Sequence, residues 1–168
     1  MRKAFAVILL VVGAATILAV SAFARGGDEK NSFKATLNGY NEVVGGAGPA
    51  STGSVSTGVT LTYSGIEGGT VTQAHPHFAQ NHVPGGIFGF FCGGPKPACP
   101  SPGGTVEGTW TAADIIGPAD QGVQAAAFDE FVRALRAGAV YVNVHSSGAT
   151  PSYPEGEIRG QVSSSNDD

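Results

Sequence analysis

The chain carries four histidines, His75, His77, His82 and His145. Ala74-His75-Pro76-His77-Phe78 puts two imidazoles at i and i+2, which on a strand share one face. Near the end, Tyr141, Asn143 and His145 share one face of a second strand, and Val140, Val142 and Val144 share the other. The valine face reads as core, so the Tyr/Asn/His face is a polar surface or a site. If the two strands are neighbours, His75, His77 and His145 converge. An H-x-H pair plus a distant His suits copper or zinc. Two other readings stand beside the metal. The rings could bond backbone or neighbouring side chains and hold two strands in register. They could also serve a proton-linked role, since His titrates nearest neutral pH. His82 lies in a Gln-Asn-His-Val-Pro-Gly turn and reads as solvent-exposed.

Cys92 and Cys99 are the only cysteines. Gly-Gly-Pro-Lys-Pro-Ala lies between them and can turn the chain so that the sulfurs meet. A disulfide is the first reading and fits an oxidising compartment. In the chain-entropy model so short a ring stabilises by roughly 2–3 kcal/mol. A zinc pair is the alternative, but such sites usually space Cys by two to four residues. A thioredoxin-type motif needs two intervening residues. Glu42, Glu157 and Arg159 are the remaining candidate charges. Glu157 and Arg159 fall at i and i+2 on one strand face, and Glu42 with Arg159 would make a bidentate pair joining the first and last strands. The alternative is a carboxylate/guanidinium recognition site for a ligand. No G-x-S-x-G elbow, P-loop, dinucleotide fingerprint or H-E-x-x-H occurs, and no catalytic residue is assigned.

The elements that position these groups are strands. Phe33, Ala35 and Leu37 alternate with polar residues, as do Val55, Thr57, Val59, Leu61 and Tyr63 in what reads as one longer strand. Gly69–Phe78, Gly86–Cys92, Thr105–Thr111, Ala139–His145 and Glu157–Val162 complete the set. Gly pairs separate most of them, as at Gly45-Gly46, Gly68-Gly69, Gly85-Gly86 and Gly103-Gly104. Phe128, Phe131, Val132 and Leu135 fall at i, i+3, i+4 and i+7 and predict one short helix, with Asp120 as its cap and Gly138 as its stop. The expected fold is mainly β, an antiparallel Greek-key β-sandwich or barrel plugged by that helix. Pro76 lacks an N–H and belongs on an edge or a bulge, which weakens the strand reading around the histidines. Trp110, Phe88, Phe90 and Phe91 read as core aromatics.

The composition agrees. The chain has 168 residues, of which 26 are Gly and 10 Pro, and a charged fraction of 13%, about half the globular norm of ~25%. A net charge of −4 argues against nucleic-acid or anionic-membrane partners, which need clustered Lys and Arg. Arg2 and Lys3 precede an apolar run that ends in Ser21-Ala22-Phe23-Ala24. These are the parts of a signal peptide over residues 1–24, and the product would be secreted, with no stable membrane insertion once the signal is cleaved. The run is long enough to serve instead as an N-terminal membrane anchor. Residues 25–31 read as a polar spacer, 32–162 as the domain and 163–168 as a disordered tail.

One string is more specific than any of these patterns. Ala137-Gly138-Ala139-Val140-Tyr141-Val142-Asn143-Val144-His145, followed by Pro154-Glu155-Gly156-Glu157-Ile158-Arg159-Gly160-Gln161, resembles the signature of the chordin-type domain, CHRD. Leu37-Asn38-Gly39-Tyr40-Asn41-Glu42-Val43 resembles the opening segment of that family, and Ala74-His75-Pro76-His77-Phe78 its central histidine segment. Gly85-Gly86-Ile87 through Cys92 is similar to a strand and cysteine of bacterial members. Val44 and Pro76 depart from the pattern, where Pro and Ile are usual. The resemblance implies an extracellular module with a β-rich, immunoglobulin-like sandwich or barrel. Its implied role is binding or structural, toward an extracellular protein or matrix component. In chordin the domain sits in a protein that binds bone morphogenetic proteins, and for stand-alone members the resemblance implies no established activity. Cu/Zn superoxide dismutase, another Greek-key β structure, offers an H-x-H theme by analogy, without its long loops or Asp ligand here.

Overall fold

A computed structural model of the chain describes residues 33–42, 52–56 and 59–164. The expected signal peptide and spacer, and Val44, lie outside the described residues. Among the described residues nine strands and one α-helix follow in chain order: β1 (Phe33–Asn38), β2 (Thr52–Ser56), β3 (Thr60–Ser64), β4 (Gly69–Phe78), β5 (Gly86–Ile87), β6 (Gly104–Glu107), α1 (Phe128–Arg136), β7 (Val140–Gly148), β8 (Tyr153–Gln161) and β9 (Ser163–Ser164). Hydrogen bonding runs β5-β4-β7-β8-β1-β2-β3-β6, with β9 beside β1. Every pairing is antiparallel. The fold is mainly β, as expected, and consistent with a β-sandwich.

Alternation places the core. In β1, Ala35 and Leu37 are buried around exposed Thr36, and in β3 Leu61 and Tyr63 are buried around exposed Thr62. β7 differs, because Val140 through His145 are all buried. It lies between β4 and β8, so both of its edges are paired, and the unbroken burial means that both of its faces are covered as well. The valine side meets Leu37, Ala74, Phe88 and Ile158 in one apolar cluster, against which Phe128, Phe131 and Leu135 of α1 pack. α1 therefore closes the core, as its apolar spacing predicts.

Five expectations need correction, the first being that the strand expected over Thr105–Thr111 ends at Glu107. Residues 55–63 are not one strand. Val55 pairs with Leu61 and Gly53 with Tyr63 across a hairpin, and Val59 adopts a left-handed φ of 58°. Paired residues share a face, so period-two alternation is the same on both arms of a fold-back. Gly86–Cys92 is a strand only at Gly86–Ile87. Beyond it, single bonds from Phe88 N to Pro76 O (2.9 Å) and Phe91 N to Ala74 O (2.8 Å) follow β4. Asp120 does not cap α1. It lies in a separate 3-10 turn, Ala119–Gln121, and the residue before the helix is Ala127 with no side-chain cap. Finally, Ser163 and Ser164 of the expected tail pair with Lys34 and Phe33.

Pro76 is accommodated by its position. Its carbonyl, and hence its ring nitrogen, faces the sparsely bonded Gly86–Cys92 side, where Phe88 N is the donor. The opposite flank of β4 keeps its register with β7, with Pro76 against Val142. A residue without an N–H costs no ladder bond there. Gly138 stops α1 as expected, with φ 65° and a closing bond from Ala139 N to Ala134 O.

Candidate functional site

Strand register builds the site. His75 lies opposite Asn143, His77 opposite Tyr141, and Gln73 opposite His145. On the other flank of β7, Asn143 lies opposite Arg159 and Tyr141 opposite Gln161. Directly opposed residues project to the same face. His75, His77, Tyr141, Asn143, His145, Glu157 and Arg159 therefore share one face of β4, β7 and β8. The reverse face carries Ala74, Val140, Val142, Val144 and Ile158, all in the core.

The three expected imidazoles are brought together. The His75 ring lies 4.5 Å from those of both His77, which it meets edge-on, and His145, to which it is tilted, centroid to centroid, and His77 and His145 are 6.4 Å apart. One ring nitrogen from each lies within 4.8 Å of those of the others. All three are buried, His75 to 1% exposure. The Phe90 ring meets His75 edge-on at 5.2 Å. His77 Nδ1 donates to the Gly85 carbonyl (2.7 Å) and His145 Nδ1 to the Pro154 carbonyl (2.9 Å). Their Nε2 atoms each lie 2.9 Å from the same carboxamide end of Asn143. His75 differs, in that neither of its nitrogens has a hydrogen-bond partner.

Burial keeps these rings neutral. Desolvation, reinforced by the charged forms of His77 and His145, pushes His75 down to about 2. His77 falls to about 4, chiefly by desolvation and against its bond to Gly85. His145 is lowered for the same leading reason. Neutral imidazole is the form that ligates a metal. Behind His77, the Tyr141 ring stacks at 4.5 Å and 2°, and the Arg159 guanidinium covers the far side of that ring at 3.3 Å. Burial raises Tyr141 and lowers Arg159.

The signature charges also have backbone neighbours that the sequence does not suggest. Arg159 Nη2 donates to the carbonyls of Gln80 (3.1 Å) and Val83 (2.9 Å), which anchors the turn that holds exposed His82. Glu157 accepts from Glu67 N (2.6 Å), Gly68 N (3.2 Å) and the Ser146 hydroxyl. The carboxylate of Glu42 lies where a side chain at Gly156 would collide with it, and its charge favours the Arg159 cation. The Cys92 and Cys99 sulfurs stand 2.07 Å apart.

Sequence reasoning missed Phe90 as a wall of the histidine cluster, the Gly85 and Pro154 carbonyls, and the Glu67-Gly68 amides. Carbonyls and amides carry no residue-type signal. Only the Gly85-Gly86 and Gly68-Gly69 turns marked where backbone would come close.

The antiparallel β fold and its buried histidine face define a β-rich module of the kind the closing string suggested. The sequence matches the CHRD domain model over residues 33–162, and the chain belongs to the CHRD family. No curated protein and no solved structure matches it.

Proposed function

We propose that this chain is a secreted CHRD module that binds a copper or zinc ion through His75, His77 and His145. The observation that carries the reading is His75, a buried ring with two unpartnered nitrogens beside two other imidazoles. Buried polar atoms are nearly always bonded, and an orphan calls for a partner such as an ion. The donor set is all imidazole, which suits copper and zinc better than calcium or magnesium. His77 and His145 donate Nδ1–H to backbone carbonyls, the usual outer-shell arrangement of metal-bound histidine. Opposed ligands at ~2.1 Å from one ion span at most ~4.2 Å, so the ion draws the rings slightly inward from their 4.8 Å limit. Export through the N-terminal signal is part of the reading, and the cysteine pair at disulfide distance supports it. The module's further role is binding an extracellular protein or matrix component.

A second reading is favoured by the bonds of His77 and His145. They tie β4 and β7 to the Gly85 and Pro154 backbone, so the histidines would serve as strand fasteners. Calorimetric titration of the exported, disulfide-intact protein with Zn²⁺ and Cu²⁺ separates the two. One-to-one binding that a His75→Ala/His77→Ala variant loses supports the metal centre. Absence of binding by folded protein leaves the fasteners.

A further inference from the structure

Asn143 occupies the centre of the cluster, and its bonding raises a proton-counting problem. His77 Nδ1 faces the Gly85 carbonyl and His145 Nδ1 faces the Pro154 carbonyl. A carbonyl oxygen can only accept, so both Nδ1 atoms carry the proton. A neutral imidazole has one N–H, so both Nε2 atoms then present lone pairs. Each of those lone pairs lies 2.9 Å from one terminal atom of Asn143. If that atom is Oδ1, acceptor faces acceptor twice. Protonating both rings would relieve this, but it would place two buried cations beside His75 and behind the Arg159–Tyr141 stack, at a large desolvation cost. Moving the protons to Nε2 would instead set the Nδ1 lone pairs against two carbonyls.

Turning the carboxamide over removes the conflict. Its NH₂ then sits at the same place, with two N–H bonds about 120° apart, one for each Nε2. We propose that Asn143 directs its NH₂, not its carbonyl, at His77 Nε2 and His145 Nε2, and that this amide is the group a metal ion displaces. In the metal-free protein Asn143 holds two ligand lone pairs aimed at one point. When the ion arrives, the two N–H···N bonds give way to two N–metal bonds, with no change in ring protonation. Asn143 is thus a positioning residue and placeholder. The displacement half of the proposal rests on the metal reading above, and the tautomer half does not.

Long-range ¹H–¹⁵N correlation spectra of the ¹⁵N-labelled exported protein test both halves, with Zn²⁺ as the probe. In metal-free protein at neutral pH, His77 and His145 should both show the Nδ1–H pattern with unprotonated Nε2. Nε2–H on either ring overturns the proposal. Asn143→Asp offers only acceptors and should force at least one ring into the Nε2–H or doubly protonated form. Retention of both Nδ1–H patterns in the folded variant also overturns it. Should that variant fail to fold, the wild-type spectrum still decides the tautomers. On adding Zn²⁺, both Nε2 resonances should shift while Nδ1 stays protonated, and the Asn143 side-chain NH₂ signals should move. Zn²⁺ shifts with unmoved Asn143 signals overturn the displacement alone. No Zn²⁺ shift with the Nδ1–H pattern intact overturns the metal reading and the displacement, and supports the tautomer assignment.

Discussion

The two faces of β4, β7 and β8 are both buried but are built on opposite principles. One face carries Ala74, Pro76, Val140, Val142, Val144 and Ile158 and packs toward α1, leaving a cavity of about 300 Å³ lined by Phe91, Trp110 and Phe131 among others. The other carries His75, His77, Tyr141, Asn143, His145, Glu157 and Arg159. The apolar face gains from burial in itself, at ~25 cal/mol per Å². The polar face gains only where each group finds a partner. Glu157 and the Arg159 Nη2 do, through backbone amides and carbonyls, whereas the Arg159 Nε, the Gln161 Oε1 and both ring nitrogens of His75 do not. Stability accounts for the first face and for most of the second. His75 is the one side chain there with every polar atom unpartnered, and it is this that supports the proposed ligand.

Substitutions on the two faces should therefore differ in kind. The largest effect is expected at Glu157→Ala, which strands the Glu67 and Gly68 amides and the Ser146 hydroxyl. Unfolding by denaturant should show a loss of about 3–5 kcal/mol. Ile158→Ala, one residue along the same strand but on the apolar face, should cost about 3 kcal/mol by cavity formation. A smaller loss at Glu157 than at Ile158 would break the contrast.

Acid sharpens the comparison, because only the polar face titrates. His77 falls to about 4 and His75 to about 2, both below the ~6.5 of an unfolded histidine. Below pH ~6.5 the unfolded chain binds more protons, so stability rises with pH. It should be complete above that point and decline as pH falls toward 4. Urea midpoints across pH 4–8 in metal-free buffer measure this. In Ile158→Ala the slope should be unchanged, while in a His75→Leu/His77→Leu variant it should flatten.

The smallest stability effect is expected at His75→Leu. With no bond to lose, an apolar side chain should leave stability within about 1 kcal/mol or raise it. A loss above about 2 kcal/mol in chelator-treated protein would mean that His75 is a structural fastener like its neighbours.

Much of this contrast was legible beforehand. Val-x-Val-x-Val against Tyr-x-Asn-x-His in β7 declared two faces, and the H-x-H of β4 declared its partner. That the two strands are neighbours was only a condition of that reading, and the register of β4 with β7 supplies it. What stayed hidden depended on backbone. The hairpin through Val59 keeps the alternation of a continuous strand. The carbonyls that hold His77, His145 and Arg159 come from the 79–85 turn and from Pro154, whose side chains give no hint of it. Glu42 and Arg159 read as a pair from charge alone, but charge gave no sign that the guanidinium also donates to Gln80 and Val83 and stacks on Tyr141.

The most direct test of the central claim is Zn²⁺ and Cu²⁺ calorimetry on the wild type and His75→Leu side by side, both folded and disulfide-intact. One ion per wild-type chain and none in the variant, whose stability without metal is within about 1 kcal/mol of wild type or higher, is the predicted result. Equal binding by the two proteins, or none by either, would contradict a metal centre built on His75.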